Sequence, residues 1–433
     1  MLKPVISPVY ASQINRALQS ARACALLERG DGQRYKVLDA IVKTQVRVGD
    51  WEGAYREVIS GEGAATGETD VFQTWMLSTM ALAQASLGDG PGALSTIRQG
   101  LGLGLCASHF FDTFCGIARI AGENADDMTA HEAVGLAEQA FTAHPVNGKT
   151  EAGRSVDYRR VTSLAEAQAR VGRRDQADQT IQSALDLVTS KSFDGYCRRQ
   201  EVVDGAYSHI ASVQARIGDL PGALNTLGKM SDHGGIESGM SMIASVLASK
   251  GDIPGALSFV AQIKEVEPKT GALIAIAEAQ ARHGDPLGAQ ATLARIERRE
   301  LSPDTGWRFY SALAQVQRNQ DNAPPVLTKI LRDVNQTHSP WEPRIVYETV
   351  GEAYAAIGLV EEALRIFERI SSRHATHGDD MFPPGLGLVR EITKANTVAG
   401  NVEVAEAWIQ TLPSTRQQCY AWLGIVDGCI ALS

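Results

Sequence analysis

Three stretches of the chain carry one phrase, and this phrase decides the fold. They read IASVQARIGDLPGALNTL (210–227), IASVLASKGDIPGALSFV (243–260) and IAEAQARHGDPLGAQATL (276–293). The glycines of the three copies, Gly218, Gly251 and Gly284, are 33 residues apart in both steps. A fixed internal period of about 20–50 residues is the signature of stacked structural repeats. The sequence therefore predicts an array of similar units rather than one globular core.

Looser copies extend the phrase in both directions along the chain. Each keeps a glycine followed by a second helical pattern, at Gly49, Gly88, Gly172, Gly358 and Gly400. A copy at Gln320 has lost its glycine, and the gap between Gly88 and Gly172 predicts one more copy near Met128. The repeat pattern therefore covers most of the chain.

Each part of the phrase has a physical interpretation. Apolar residues at helical spacing before Gly218 predict one face of a first helix. Gly218 can adopt the left-handed conformation that ends this helix. Asp219 is then placed to cap a second helix, and Pro221 falls in its first turn, where the missing N–H costs nothing. Such a helical hairpin cannot bury its apolar face alone, so we expect neighbouring hairpins to stack.

The second-helix pattern resembles that of tetratricopeptide repeats, in which Ala is followed four residues later by Phe. The pairs that carry the resemblance are Ala223/Leu227, Ala256/Val260, Ala289/Leu293 and Ala363/Phe367, with closing prolines at Pro145 and Pro268. The first-helix tyrosine of the family is present as Tyr354 but is otherwise often glutamine: Gln45, Gln84, Gln168, Gln214 and Gln280. The resemblance implies an all-α fold, a right-handed α-solenoid of about ten stacked helix-turn-helix repeats. We expect residues 36–412 to form it, between capping helices in 1–35 and 413–433.

Composition limits the classes of function. Among 433 residues the formal net charge is −9, which argues against nucleic acid as the main partner because phosphate binding needs accumulated Lys and Arg. No apolar run is long enough for a signal peptide or a membrane span. The six cysteines are scattered, without a metal-binding pattern, and are typical of reduced, buried thiols. We therefore expect a cytoplasmic protein; its oligomeric state is left open.

No catalytic or cofactor site is predicted. His374 and His377 form an H-x-x-H pair, but no third or fourth metal ligand accompanies them. The GLGLG stretch from Gly100 lacks the strand and the lysine of a phosphate-binding loop. A nucleophile at Cys115 or Ser108 has no identifiable base nearby. The sequence thus favours a protein that is not an enzyme and needs no cofactor or metal.

Two polar residues recur at fixed places in the repeats. Arginine stands two residues before the glycine position, at Arg47, Arg170, Arg216, Arg282 and Arg318. A basic stripe is one interpretation, but we favour cations that stabilise helix C-termini and pair with a nearby aspartate. The recurrent glutamine is interpreted as a hydrogen-bonding spacer between stacked first helices.

The resemblance implies that the first helices line a concave surface. Aromatic and basic side chains expected there are the residue types that anchor protein interfaces. The predicted partner-binding residues are Trp75, Arg159, Trp307, Tyr310, Arg390 and Lys394. The alternative location is the set of polar connectors that lengthen the repeats, at residues 144–155, 190–200, 335–344 and 371–387.

Three functions remain as hypotheses after these observations. The first is a protein-interaction scaffold or adaptor that binds an acidic or aromatic-bearing peptide or protein. The second is an RNA-binding helical repeat protein, which the acidic composition and uneven repeat lengths disfavour. The third is a small-ligand sensor, or an enzyme, with a pocket inside the solenoid.

Overall fold

The structure is a computed structural model that describes residues 7–27, 31–60, 69–143, 153–189, 200–297, 303–318, 323–335, 342–375 and 385–433, with residues 301 and 320. These residues are helical apart from short turns, and none of them forms a β-strand. Within the same residues, no helix has the length and apolar character needed to cross a membrane. The prediction of an all-α fold is confirmed. The four connectors and the side chains of His374 and His377 lie largely outside the described residues.

Two compact units divide the chain. Unit 1 consists of Met1–Met80 and Leu301–Ser433, and unit 2 consists of Ala81–Glu300. The described helices of unit 1 are α1 (Pro8–Leu27), α2 (Asp31–Val48), α3 (Trp51–Ser60), most of α4 (Thr69–Ser86), α16 (Pro303–Gln317), α17 (Ala323–Asn335), α18 (Glu342–Ala356), α19 (Val360–Ala375), α20 (Leu386–Val398), α21 (Val402–Ile409) and α22 (Thr415–Leu432).

Unit 2 contains a similar series of helices. They are α5 (Gly90–Gly102), α6 (Phe111–Glu123), α7 (Asp127–Ala143), α8 (Gly153–Arg170), α9 (Arg174–Thr189), α10 (Gln200–Ile217), α11 (Leu220–Leu227), α12 (His233–Ser249), α13 (Ile253–Val260), α14 (Val266–Arg282) and α15 (Pro286–Leu293). A short 3-10 helix, Ala107–Phe110, precedes α6. The first helices of the hairpins pack in chain order, α6 on α8, α8 on α10, α10 on α12 and α12 on α14. The protein is therefore helical repeat-like, as the sequence indicated.

The turn between the two helices of a hairpin forms as predicted. Gly218 has a φ of 89° and ends α10, and the Asp219 carboxylate accepts a hydrogen bond from the Gly222 N–H at 2.9 Å. Every glycine that the repeat phrase places at this turn has a positive φ: Gly49, Gly88, Gly172, Gly218, Gly251, Gly284, Gly358 and Gly400. An L-residue with a Cβ is disfavoured in this region, which explains why glycine recurs.

The additional copy predicted near Met128 is present, with an alanine in the place of the glycine. Ala125 has a φ of 57° and is the one non-glycine residue with positive φ that the described part of the chain contains. Asp126 follows it and accepts a hydrogen bond from the Thr129 N–H at 3.2 Å, as the capping aspartate does elsewhere. Ala125 therefore holds a backbone conformation that costs about 1–2 kcal/mol for an L-residue.

The recurrent glutamine stabilises its own hairpin, and Gln168 in addition donates through its Nε2 to Glu138 of the preceding hairpin at 3.0 Å. The Gln214 Oε1 accepts a hydrogen bond from the Thr226 hydroxyl at 2.7 Å, and the Gln214 Nε2 approaches the Asp219 carboxylate at 3.4 Å. The same glutamine-to-threonine hydrogen bond, twelve residues apart, joins Gln84 to Thr96, Gln168 to Thr180 and Gln280 to Thr292. The prediction of a spacer between first helices was wrong, because the second helix of the same hairpin supplies the partner.

The arginines before the turn form ion pairs with carboxylates of other helices. Arg216 pairs with Glu166 at 2.9 Å, and Arg170 pairs with Glu123 at 3.5 Å. Carbonyl groups at a helix C-terminus accept from a residue other than these arginines: the Lys250 Nζ donates to the Arg216 carbonyl at 2.7 Å. Four of the five arginines are therefore charge-paired with carboxylates of other helices: Arg47, Arg170, Arg216 and Arg318. This agrees with the favoured interpretation of paired cations, although three of the four partners are glutamates and not aspartates.

The two ends of the chain together build one hairpin in unit 1. Helix α1 lies antiparallel to α22, because Cys24 contacts Gln418 at 3.8 Å while Gln13 contacts Cys429 at 3.6 Å. Helix α22 packs between the first helices α20 and α2. Helix α1 is bridged to the second helices α21 and α3 by the ion pairs Arg16–Glu406 (2.5 Å) and Arg22–Glu57 (2.6 Å). We call this pair of helices, α22 followed in space by α1, the composite hairpin.

Two glycines allow α22 to approach α20 closely. A Cβ at Gly424 would collide with the carbonyl oxygen of Arg390, and a Cβ at Gly428 would lie 3.0 Å from the carbonyl oxygen of Lys394. The Thr393 hydroxyl crosses this contact and donates to the Ala421 carbonyl at 2.7 Å. Helix α22 is buried on nearly every side from Cys419 to Cys429, so it forms part of the core of unit 1.

Candidate functional site

The first helices of unit 1 carry a network of charged side chains across their surface. Its centre is Asp427 on α22, a buried carboxylate. The Arg390 Nε donates to its Oδ2 at 2.7 Å, and the Arg47 Nη1 donates to its Oδ1 at 2.8 Å. Arg390 also donates to the Thr44 hydroxyl at 3.3 Å. Three first helices, α20, α22 and α2, are thus joined by one carboxylate that two guanidinium groups neutralise.

On one side the network continues from α2 to α4. Asp39 accepts from the Lys43 Nζ and from the Thr79 hydroxyl, both at 2.8 Å. Trp75 lies one helical turn before Thr79 and therefore on the same side of α4. Its side chain is 40% exposed, an unusual fraction for a residue with so much apolar area.

On the other side the network reaches α16 and α18 through Glu391. This carboxylate pairs with Arg318 at 2.7 Å and with Lys394 at 3.6 Å. Nearby, burial raises the pKa of Glu352 on α18 to about 7; the positive charge of Arg318 opposes the shift, and the carboxylates of Glu391 and Glu348 add to it. Carboxyls with pKa values near neutrality are concentrated at functional sites, although structural networks also produce them. We call the surface from Trp75 to Glu352 the first-helix surface of unit 1.

Five of the six predicted binding residues lie on first helices of unit 1. Arg390 and Lys394 are one turn apart on α20, and both are engaged in the ion pairs just described. Trp307 and Tyr310 lie on α16, where both side chains are partly exposed. Trp307 is three turns before Arg318, so it projects from the same side of α16 as the network. Trp75 lies at the α4 end.

Arg159 belongs to unit 2, whereas the other five residues lie in unit 1. It is exposed on α8, and its Nε donates to the Tyr158 hydroxyl at 3.3 Å. Tyr158 packs edge-on against His209, with ring centroids 5.7 Å apart. Burial lowers the pKa of His209 to about 4, and the positive charges of Arg216 and Arg159 lower it further. Arg159 therefore takes part in a local aromatic cluster of unit 2.

Sequence reasoning missed the residues that organise the network. Asp427 stands inside the apolar run WLGIVDGCIAL (422–432), and a lone carboxylate in a buried helix is a signal that could have found it. Asp39 and Glu352 carry no such signal, because each occurs in an ordinary mixed helical sequence. Their role follows from which helices meet in space.

The described residues contain no group of three or more His, Cys, Asp or Glu side chains arranged to hold a metal ion. Cys115 is buried, and its burial raises the thiol pKa, which opposes formation of a thiolate nucleophile. The chemistry available at the first-helix surface is thus ion pairing, hydrogen bonding and contact with aromatic side chains. No protein-family model matches the sequence, and no curated protein is significantly similar to it.

Proposed function

We propose that this protein is a scaffold or adaptor without catalytic activity that binds a protein or peptide on the first-helix surface of unit 1. In the proposed tetratricopeptide-like, right-handed solenoid of about ten hairpins, this surface is the concave face. The observation that carries the proposal is the series of charged clusters centred on Asp39, Asp427 and Glu391, which lie on the first helices α2, α22 and α20, with Trp75 on α4 and Trp307 on α16.

The chemistry of the surface favours an acidic or aromatic-bearing partner. Trp75 and Trp307 offer large apolar faces, and such residues dominate interface energies when they become desolvated. Arg390 and Lys394 are already paired with Asp427 and Glu391, so a partner carboxylate would share these cations rather than meet unpaired ones. The charges are therefore expected to set orientation and association rate more than affinity.

The test compares capture by the full-length protein with capture by matched variants. Trp75→Ala combined with Trp307→Ala removes both aromatic side chains, whereas Val404→Ala removes an exposed apolar side chain from the second helix α21 of the same unit. We expect a protein that binds the wild type and Val404→Ala, and that binds the double variant at least about tenfold more weakly. Binding should also weaken modestly as salt is added.

Several outcomes would contradict this function. A captured protein that binds the double tryptophan variant normally would locate the interface elsewhere. Selective capture of RNA, with affinity that falls steeply with salt, would favour the RNA-binding hypothesis. Turnover of a substrate by the purified protein would show that it is an enzyme.

A further inference from the structure

A cavity lined mainly by polar residues lies in unit 1 between α1, α2 and α3, where the composite hairpin meets the hairpin that follows it. Its volume is about 370 Å³, at the small end of the range of roughly 300–1,000 Å³ found for ligand pockets. Leu18 is the one large apolar side chain among its lining residues, and no aromatic ring lines it. The other lining residues are Gly53 and residues with amide, carboxylate or guanidinium groups, whose carbon atoms make about half of the wall apolar. The cavity is therefore suited to a small polar ligand, not to a flat aromatic one.

The cavity occurs where the repeat loses an internal hydrogen bond. In the other hairpins described above, a threonine donates to the glutamine Oε1 from twelve residues further along the chain. In the α2–α3 hairpin that position is occupied by Glu57, whose carboxylate has no proton to donate. Gln45, only 6% exposed, still places its Nε2 3.4 Å from Asp50, but its Oε1 meets no donor among the described residues.

Because the Oε1 of Gln45 is buried, its lack of a hydrogen-bond donor destabilises the folded protein. A molecule that donates to Gln45 would recover part of that loss. Gln45 lines the cavity, but its Oε1 is itself buried, so the side chain must turn toward the space before a ligand can donate to this oxygen. The departure from the repeat creates both the space and the unsatisfied group.

Charges of both signs surround the same space. The carboxylate of Glu57 is 8% exposed and pairs with Arg22 at 2.6 Å, while Asp50 supplies a second carboxylate. Arg56 is an exposed cation at the wall, and its Nε donates to the Glu52 carbonyl at 3.3 Å. Asn15 and Gln19 of α1 add amides that can donate or accept. The walls thus offer acceptors for a cationic group and donors for an anionic group within one small volume.

We propose that this cavity binds a small zwitterion that carries an ammonium and a carboxylate, the class of free amino acids. The ammonium has three N–H donors, which match the carboxylates of Asp50 and Glu57 and, once its side chain turns toward the space, the Oε1 of Gln45. The ligand carboxylate pairs with Arg56, since guanidinium groups bind carboxylates with two parallel hydrogen bonds. The site is separate from the first-helix surface of unit 1 and does not rest on the proposed function.

The experiment uses isothermal titration calorimetry of the full-length protein with each standard amino acid at millimolar concentration. For every amino acid that binds, two analogues are tested, the amide without the carboxylate and the carboxylic acid without the amine. We expect at least one amino acid to bind, and both of its analogues to bind about tenfold or more weakly. Failure of every standard amino acid to bind would overturn the proposal, as would equal binding of an analogue.

Variants tie the binding to the cavity. Arg56→Gln removes an exposed cation from the wall and should weaken binding by about tenfold or more. Arg365→Gln removes an exposed arginine of α19, outside the cavity, and should leave binding unchanged. Gln45→Met should also weaken binding; if that variant does not fold, the Arg56→Gln result decides. Equal binding by the Arg56→Gln and Arg365→Gln proteins would show that the ligand lies elsewhere.

Discussion

The hairpin α10–α11 of unit 2 and the composite hairpin of unit 1 are both pairs of packed helices. They differ in the length of chain that connects the two helices. In the first, Gln214, Asp219 and Thr226 join two helices through residues at most twelve positions apart. In the second, helix α22 meets helix α1 through contacts such as Gln13–Cys429, 416 positions apart. The repeat geometry therefore requires two helices whose surfaces pack together. It does not require a short turn that connects them. Closing such a long loop costs more chain entropy, which the close α20–α22 contact helps to offset.

The largest expected effect comes from breaking that close contact. Gly424→Leu places a side chain against the Arg390 backbone, which cannot move aside, and we expect destabilisation by about 3 kcal/mol or more. Ala256→Leu adds one carbon atom fewer at a fully buried position of unit 2 and should cost about 1–3 kcal/mol.

Hydrogen exchange read by mass spectrometry separates the two units. Gly424→Leu should remove protection from the amides of α1 and α22 while those of α12 remain protected. Gly205→Ala is the control, because a Cβ there meets no atom within 4 Å and alanine favours a helix. Full protection of α1 in Gly424→Leu would mean that the composite hairpin tolerates the added bulk.

Acid should act on the two units with opposite sign. In unit 1, Glu352 holds a proton up to a pKa of about 7, whereas its ordinary value is 4.5, so stability falls as pH rises through this window. In unit 2, the pKa of His209 is lowered to about 4 from 6.5, so stability falls as pH drops from 6.5 to about 4. Because each group binds a single proton, the free energy of unfolding changes by at most about 1.4 kcal/mol per pH unit for each group.

Unfolding midpoints measured from pH 4 to 8 test both signs. Relative to wild type, Glu352→Gln should gain stability as pH rises towards 7, and His209→Asn should gain it as pH falls below 6.5. Glu361→Gln, at an 89% exposed side chain of α19, is the control and should follow the wild type. If stability varied with pH in the same way for the wild type and all three variants, neither the raised pKa of Glu352 nor the lowered pKa of His209 would hold.

The glutamine–threonine hydrogen bond provides a smaller effect. Thr226→Val keeps the shape of a buried side chain but leaves the Gln214 Oε1 without its donor, which should cost about 1–2 kcal/mol. Thr142→Val, an exposed position on α7, is the matched control. Chemical denaturation measures both. A cost at Thr226 no greater than at Thr142 would contradict a stabilising role for this bond.

The smallest expected effect is at the one turn that lacks glycine. Ala125→Gly relieves a left-handed alanine and should stabilise unit 2 by about 0.5–1 kcal/mol. The reverse change at an equivalent turn, Gly218→Ala, should destabilise it by about 1 kcal/mol. A loss of stability in Ala125→Gly, measured by thermal unfolding, would show that the turn favours alanine for another reason.

The sequence alone predicted most of the features that depend on local chemistry. The left-handed glycine, the capping aspartate and the buried alanine of the second helix follow from steric rules and hydrogen-bonding rules that act over a few residues. For this reason Gly218, Asp219 and Ala223 occupy the places predicted for them, and even the copy near Met128 was found from spacing. The partner of Gln214 was assigned to the wrong helix because hydrogen-bonding capacity does not specify direction.

Tertiary structure decided what distant residues do together. The pairing of α1 with α22 and the sharing of Asp427 by Arg47 and Arg390 depend on which helices become neighbours. A repeat period states that hairpins stack, but it does not state which hairpin each chain end completes. Which hairpin a chain end completes depends on how closely helices can pack, as where Gly424 allows α22 to approach α20. No pattern within a single repeat predicts this contact.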